Sequence, residues 1–246
     1  MSKRRRGIYL LPNLFTTSAL FCGFYAIVAA INARFEPAAI AMFVAMFLDG
    51  MDGRIARMTN TQSDFGEQYD SLSDLVSFGL APALVMYQWS LYSLGKLGWL
   101  AAFVYAATTA LRLARFNTQA ATEDKQFFQG LPSPASAALL AGVIWLVVAN
   151  DLGDGSNLIA ITFPLTIAAG LLMVSNVRYH SFKQFDLRGR VPFMTILVLV
   201  LILVLIAFRP SIVLFLLAFI YAISGPIMTL LLIRRHRAKR HQQDHT

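Results

Sequence analysis

Charge is scarce in this sequence. Of its 246 residues, 14 % are Asp, Glu, Lys or Arg, against about 25 % in an ordinary soluble domain, while 57 % are hydrophobic. A water-soluble domain of this size would need more polar surface. Cysteine is nearly absent. Cys22 stands alone within an apolar run, which excludes an intrachain disulfide and any cysteine-based zinc spacing, and it reads as a small buried hydrophobe. The four histidines are His180, His236, His241 and His245. Three of them fall in a basic tail, so a histidine metal centre is not expected. No repeat and no low-complexity segment is visible.

Long apolar runs are plentiful instead. About 20 apolar residues at ~1.5 Å rise cross a bilayer core, and eight runs approach or reach that length. They cover 11–31, 38–58, 72–91, 97–114, 135–149, 158–174, 191–208 and 212–233. The predicted fold is an all-α polytopic membrane bundle forming one domain over 1–246. The first six runs are rich in Ala and Gly, which lets helix backbones approach closely in lipid. The N-terminus imitates a signal peptide, with Lys3, Arg4, Arg5 and Arg6 before an apolar run and Ala29, Ala30 and Ala33 after it. That run carries Pro12 and Asn13, is long enough to span and is followed by further spans, so it is read as a retained helix.

Basic residues set the expected orientation. With a cytoplasmic N-terminus, 18 of the 21 Lys and Arg residues lie inside, and only Arg34, Lys96 and Arg209 fall outside. The positive-inside rule then predicts both termini in the cytoplasm. The net charge of +8 faces anionic headgroups on one side and is not a nucleic-acid signature. The basic run 234–240 reads as a topogenic anchor. Trp89, Tyr92 and Trp99 are expected as interfacial anchors at the outer boundary.

Only 13 residues are acidic, and four of them fall at two neighbouring helix ends. Asp49 and Asp52 are three apart at the end of the second span. Asp70 and Asp74 are four apart at the start of the third. Each pair projects from one helical face, and a short loop carrying Asp64 and Glu67 lets the faces oppose. Four carboxylates near low dielectric repel unless cations or arginines neutralise them. Hard divalent ions prefer oxygen ligands, so Mg²⁺, Mn²⁺ or Ca²⁺ fits, and two ions would balance four carboxylates. Gly53 and Ala56 leave room on the same face for a phosphate-bearing ligand, and Arg57 can bind phosphate bidentately. Gly66 lies one turn before Asp70. Singly, each Asp could equally cap a helix or neutralise an arginine. An intramembrane acidic cluster could also serve a cation-coupled transporter, although the other spans carry almost no acidic residues to continue an ion path.

The stretch Asp52-Gly53-x2-Ala56-Arg57-x8-Gly66-x3-Asp70-x3-Asp74, with Asp49 three before it, resembles the signature of the CDP-alcohol phosphotransferases without a gap. A wider likeness to bacterial phosphatidylserine synthases runs through Leu11 to Thr16, Phe65 to Gly79, Ala81-Pro82, Arg112 to Asn117, Phe128 to Pro134 and Ser175 to Tyr179. It fades over the last two spans. The resemblance implies a six-helix core at about 8–180 and an added, lipid-facing helix pair at about 191–234. It implies a homodimer in a bacterial inner membrane with a cytoplasm-facing site. It further implies that Asp49, Asp52 and Asp70 are metal ligands and that Asp74 is both a ligand and the general base.

The reaction so implied transfers a phosphatidyl group from CDP-diacylglycerol to L-serine. The serine carboxylate would then want a cation, and Arg112, Arg115 and Arg178 are candidates, each equally explicable as a positive-inside residue. Ser133 and Asn117 could supply neutral hydrogen bonds. Asn13 is expected near the diphosphate, because a buried amide is costly without a partner. Gly50 and Gly53 could let the cytidine approach. Glycerol 3-phosphate, inositol phosphate or choline remain alternative acceptors.

Overall fold

Backbone N–H and C=O groups find no water within a bilayer, so apolar runs of this length must satisfy them internally as helices. The computed structural model describes residues 10–119, 127–180 and 193–243, and it is a helical bundle. Helices α1 (Leu10–Ile31) and α2 (Phe35–Thr59) form an antiparallel hairpin, turned at Ala33 with φ 55°. α2 ends at Asn60, whose left-handed conformation lets its N–H reach the Ala56 and Arg57 carbonyls. Ser63 then caps α3 (Asp64–Asp74), its Oγ accepting from the Gly66 N–H at 3.1 Å.

The third helix therefore starts at Asp64 and not at 72. Asp64 and Glu67, expected in a loop, occupy its first turn, where negative charge favours the helix dipole. Both are exposed. An apolar window misses this turn because DFGEQYDS is polar. α3 continues without a break into a π-helical segment (Leu75–Leu80) and then α4 (Ala81–Trp89). Pro82 explains the change of register. It has no N–H, so the Phe78 carbonyl has no i+4 donor. The Ala81 N–H reaches back to Val76 in the π pattern, and the buried Tyr105 hydroxyl donates to the Phe78 carbonyl at 3.3 Å.

Next come α5 (Lys96–Gln119), α6 (Ser133–Ala149), α7 (Ile159–Val174), α8 (Phe193–Phe208) and α9 (Pro210–Gln243). α5 extends beyond the expected 97–114, so Arg115 and Asn117 lie on helix. α9 is helical through the basic run 234–240. A short antiparallel ribbon, unanticipated from the sequence, pairs β1 (Phe127–Gln129) with β2 (Arg178–His180), with Gln129 opposite Arg178. Gly130 closes it at φ 79°, its N–H bonded to the Val177 carbonyl at 2.8 Å. Any side chain there would collide with the Met173 carbonyl.

Alanines dominate the core, among them Ala26, Ala29, Ala38, Ala39, Ala81 and Ala141, as close helix packing requires. Cys22 is half-buried against Ala45, Phe78 and Ala137. Trp89 is not an interfacial anchor. It is buried beneath Gly155, while Tyr92 and Trp99 are exposed. The last two helices also part company. α8 buries no residue, as a lipid-facing helix should. α9 is built into the bundle: it buries Ala218 and Ala222 and brings Phe215 against Gly142 of α6. Among the described residues four helices are long and apolar enough to cross a membrane, at Leu11–Ile31, Lys96–Thr118, Gly155–Val174 and Pro210–Leu231. α6 and α8 are apolar but shorter. The chain is a multi-pass membrane protein.

Candidate active site

The C-terminal half of α2, with Asp49 and Asp52, and the C-terminal half of α3, with Asp70 and Asp74, meet where their acidic faces oppose. Carboxylate oxygens of Asp49, Asp70 and Asp74 lie within 4.8 Å of one another. Asp74 Oδ1 is buried without a hydrogen-bond partner. Three carboxylates this close, one with an orphaned oxygen, are an unfavourable arrangement by themselves and a suitable one for a hard cation. Asp52 lies beside this trio. It is 5 % exposed, and its Oδ2 accepts from Thr16 Oγ1 at 2.7 Å.

Thr16 belongs to α1, and α1 is fastened to α3 and the π segment. Ser73 Oγ donates to the Thr16 carbonyl and Ser77 Oγ to the Ala19 carbonyl, each at 3.1 Å. Gly23 makes the approach possible, since a Cβ there would stand 2.5 Å from Ser77 Oγ. This seam places the first helix, and with it Asn13 and Thr16, over the acidic cluster.

A cavity of about 480 Å³ opens beside the aspartates. Asn13, Thr16, Asp52, Gly53, Ala56, Arg57, Gly66 and Asp70 line it, together with Thr61, Gln62, Ser63, Asp64 and Glu67. Five of the six residues expected around the nucleotide-lipid thus share one cavity. Gly50 does not line it; it is exposed, with open space around it. Sequence reasoning missed Thr16, which lies three residues after Asn13 on the same face of α1. That spacing was the available signal.

The basic candidates separate into two groups. Arg112 Nη1 donates to Ser133 Oγ at 3.1 Å, and Arg112 is close enough to Asp74 for their charges to attract. Ser133 is fully buried. Arg112 is thus a cation that faces Asp74. Asn117 pairs with Ser71 through its Nδ2 at 2.9 Å, on the far side of α3 from α1. Arg115 points to the ribbon, donating through Nη2 to Gln129 Oε1 and, at 3.3 Å, to Asn176 Oδ1. Arg178 is exposed on β2, and its backbone N–H donates to Thr229 Oγ1 at 3.4 Å. Beneath it, Tyr179 is fully buried. Burial, and less so the neighbouring Tyr221, pushes the Tyr179 phenol up to about 12, so it remains a donor at neutral pH.

Residues 9–175 match the family model described as CDP-alcohol phosphatidyltransferase. Several proteins named CDP-diacylglycerol–serine O-phosphatidyltransferase are similar to this chain. The one from Helicobacter pylori strain 26695 is 40 % identical over 177 residues, covering 72 % of this chain and 74 % of its own. That of Bacillus subtilis is 34 % identical over 174 residues, covering 71 % and 92 %. That of Methanocaldococcus jannaschii is 37 % identical over 143 residues, covering 58 % and 63 %. The match spans more than half of the chain and contains all four aspartates and the cavity beside them, and on that ground the chain belongs to the CDP-alcohol phosphatidyltransferase family.

Proposed function

We propose that this protein transfers the phosphatidyl group of CDP-diacylglycerol to the hydroxyl of L-serine, releasing CMP and phosphatidylserine. The observation that carries the reading is the acidic trio of Asp49, Asp70 and Asp74, flanked by Asp52 and the cavity on one side and by Arg112 and Ser133 on another. The relatives' names support serine as the acceptor.

Asp49, Asp52, Asp70 and Asp74 would hold divalent metal, Mg²⁺ or Mn²⁺ foremost and Ca²⁺ as a further choice, with two ions per site matching four carboxylates. Bound there, such ions offset the charge of a pyrophosphate and of the leaving nucleotide. The chain's own groups do the rest. Arg57 and Asn13 hold the diphosphate, and Gly53, Ala56 and Gly66 leave the space that the cytidine and its phosphates fill. Arg112 draws in the serine carboxylate, and Ser133 keeps its guanidinium aimed. Asp74 takes the proton from the serine hydroxyl as that oxygen bonds to the lipid-side phosphorus and the phosphorus–oxygen bond to CMP breaks. The serine proton thus passes to Asp74, and CMP departs with the bonding electrons.

The setting proposed for this chemistry is a bacterial inner membrane, with eight spans, both termini and the site on the cytoplasmic side, and two copies per assembly. The test is CMP release by the detergent-solubilised protein from CDP-diacylglycerol. Release is expected with serine and not with glycerol 3-phosphate, inositol phosphate, choline or no acceptor. Release with another acceptor and none with serine would overturn the reading.

A further inference from the structure

The family match ends at residue 175, but the bundle does not. β2 and α9 form a keyed joint beyond it. Pro226 lies inside α9 and has no N–H, so the Ala222 carbonyl, four residues earlier, has no helical donor. Tyr179 supplies one: its hydroxyl donates to that carbonyl at 2.9 Å. Its ring is wholly buried and rests on Gly225, where any Cβ would overlap it. Tyr221 packs against the ring with centroids 5.5 Å apart. One residue before, the Arg178 N–H donates to Thr229 Oγ1. Proline frees a carbonyl, glycine opens a notch, and one tyrosine fills both.

The joint lies at the far end of a short chain of contacts from the reaction centre. Tyr179 belongs to β2, which pairs with β1 through Gln129 and Arg178. Gln129 holds the guanidinium of Arg115, which also reaches Asn176. Arg115 lies one turn beyond Arg112 on α5. Gly130 and Leu131 then carry the ribbon into the buried Ser133 at the start of α6, the partner of Arg112. The ribbon therefore holds Arg115 and leads into the partner of Arg112, and it is itself held by α9 and, through Leu131 and Leu172, by the end of α7.

We infer that Tyr179, seated in the Gly225–Pro226 notch of α9, is a positioning residue for the amino-acid acceptor, fixing the β1–β2 ribbon and through it Arg115. This rests on the reading of Arg112, one turn before Arg115, as the cation that draws in the serine carboxylate. It assigns a purpose to the last helix: α9 tunes acceptor binding without touching the nucleotide-lipid.

The full-length protein in detergent tests it with two variants. Tyr179→Phe removes one hydroxyl. It is expected to raise the serine KM roughly three- to tenfold, the loss of one net hydrogen bond, with the KM for CDP-diacylglycerol unchanged. Tyr179→Phe combined with Pro226→Ala returns a backbone donor to Ala222. It is expected to recover thermal stability while the serine KM stays raised, because the tie between ribbon and helix is still missing. An unchanged serine KM in both variants overturns the inference. So does a parallel rise in both substrates' KM, or full recovery of the serine KM in the double variant. Arg112→Ala separates this from the underlying reading. If it raises the serine KM and Tyr179→Phe does not, only the joint fails; if it leaves the serine KM unchanged, the acceptor end lies elsewhere and both fail.

Discussion

Thr16→Val is the perturbation that most directly questions the site. Valine keeps the shape of threonine but presents a methyl group to Asp52 Oδ2 where a hydroxyl now donates at 2.7 Å. Both residues are nearly inaccessible, at 4 % and 5 % exposure, and meet solvent only along the cavity wall, so a water could replace the donor from that side alone. A hydrogen bond to a charged group contributes about 1.5–3 kcal/mol, and loss of a partner that orients a metal ligand costs about 10–100-fold in metal affinity. Mn²⁺ affinity of the detergent-solubilised protein, read by electron paramagnetic resonance, is therefore expected to fall by about that factor. Thr16→Ser keeps the hydroxyl and should stay within about threefold of wild type. Size-exclusion profiles and melting temperatures show whether the fold survives. A folded Thr16→Val protein with wild-type Mn²⁺ affinity would refute the claim that Asp52 is a ligand held in place by α1.

Three further outcomes follow from the same geometry. Asp74→Asn is expected to lose about 10²–10⁴-fold in turnover while retaining CDP-diacylglycerol affinity better than Asp70→Asn does; equal collapse of affinity in the two would make Asp74 a ligand only. Chelation should abolish CMP release, and Mg²⁺ or Mn²⁺ should restore it; full activity in excess chelator, with residual metal checked, would contradict the carboxylate site. Reporter fusions after Thr246 should report a cytoplasmic C-terminus, because 18 of 21 basic residues lie inside in that orientation; a periplasmic signal would overturn the eight-span topology.

Much of the site was legible because its chemistry depends on helical spacing. Asp49 with Asp52, and Asp70 with Asp74, need only 3.6-residue periodicity to share a face, and the loop between them is too short to let the faces diverge. Arg57, Gly53, Ala56 and Gly66 follow the same periodicity, and the cavity contains them. Gly50 lies on α2 next to Asp49 and shows the limit of that reasoning: nearness in sequence suggests it for the nucleotide, but its rotation around the helix takes it off the cavity wall. The start of α3 was illegible to hydropathy for a physical reason. Its first turn stands outside the apolar layer and is stabilised by Ser63 and the dipole-facing acids.

Proline marks what composition could not reveal. In a soluble helix an interior proline reads as a break, yet Pro82 and Pro226 both lie within continuous helix here. Each removes the donor for the carbonyl four residues earlier, and in each case a buried tyrosine from elsewhere in the chain donates instead: Tyr105 to Phe78, and Tyr179 to Ala222. Nothing in the local sequence of either proline names its tyrosine, which lies 23 residues after Pro82 in one case and 47 before Pro226 in the other. The pairing is imposed by the surroundings. A carbonyl stripped of its donor inside a bundle has no water to turn to, and leaving it bare costs about 1–3 kcal/mol, so a phenol within reach becomes part of the fold. The first pair lies at the π segment that follows Asp74, and the second ties the β1–β2 ribbon, proposed above to position the acceptor, to α9. Tyr105→Phe is accordingly expected to disturb the acidic cluster and lower Mn²⁺ affinity, whereas Tyr179→Phe acts on the acceptor alone. Mn²⁺ titration of both proteins distinguishes them, and equal affinity in the two would mean that the π register holds without its tyrosine.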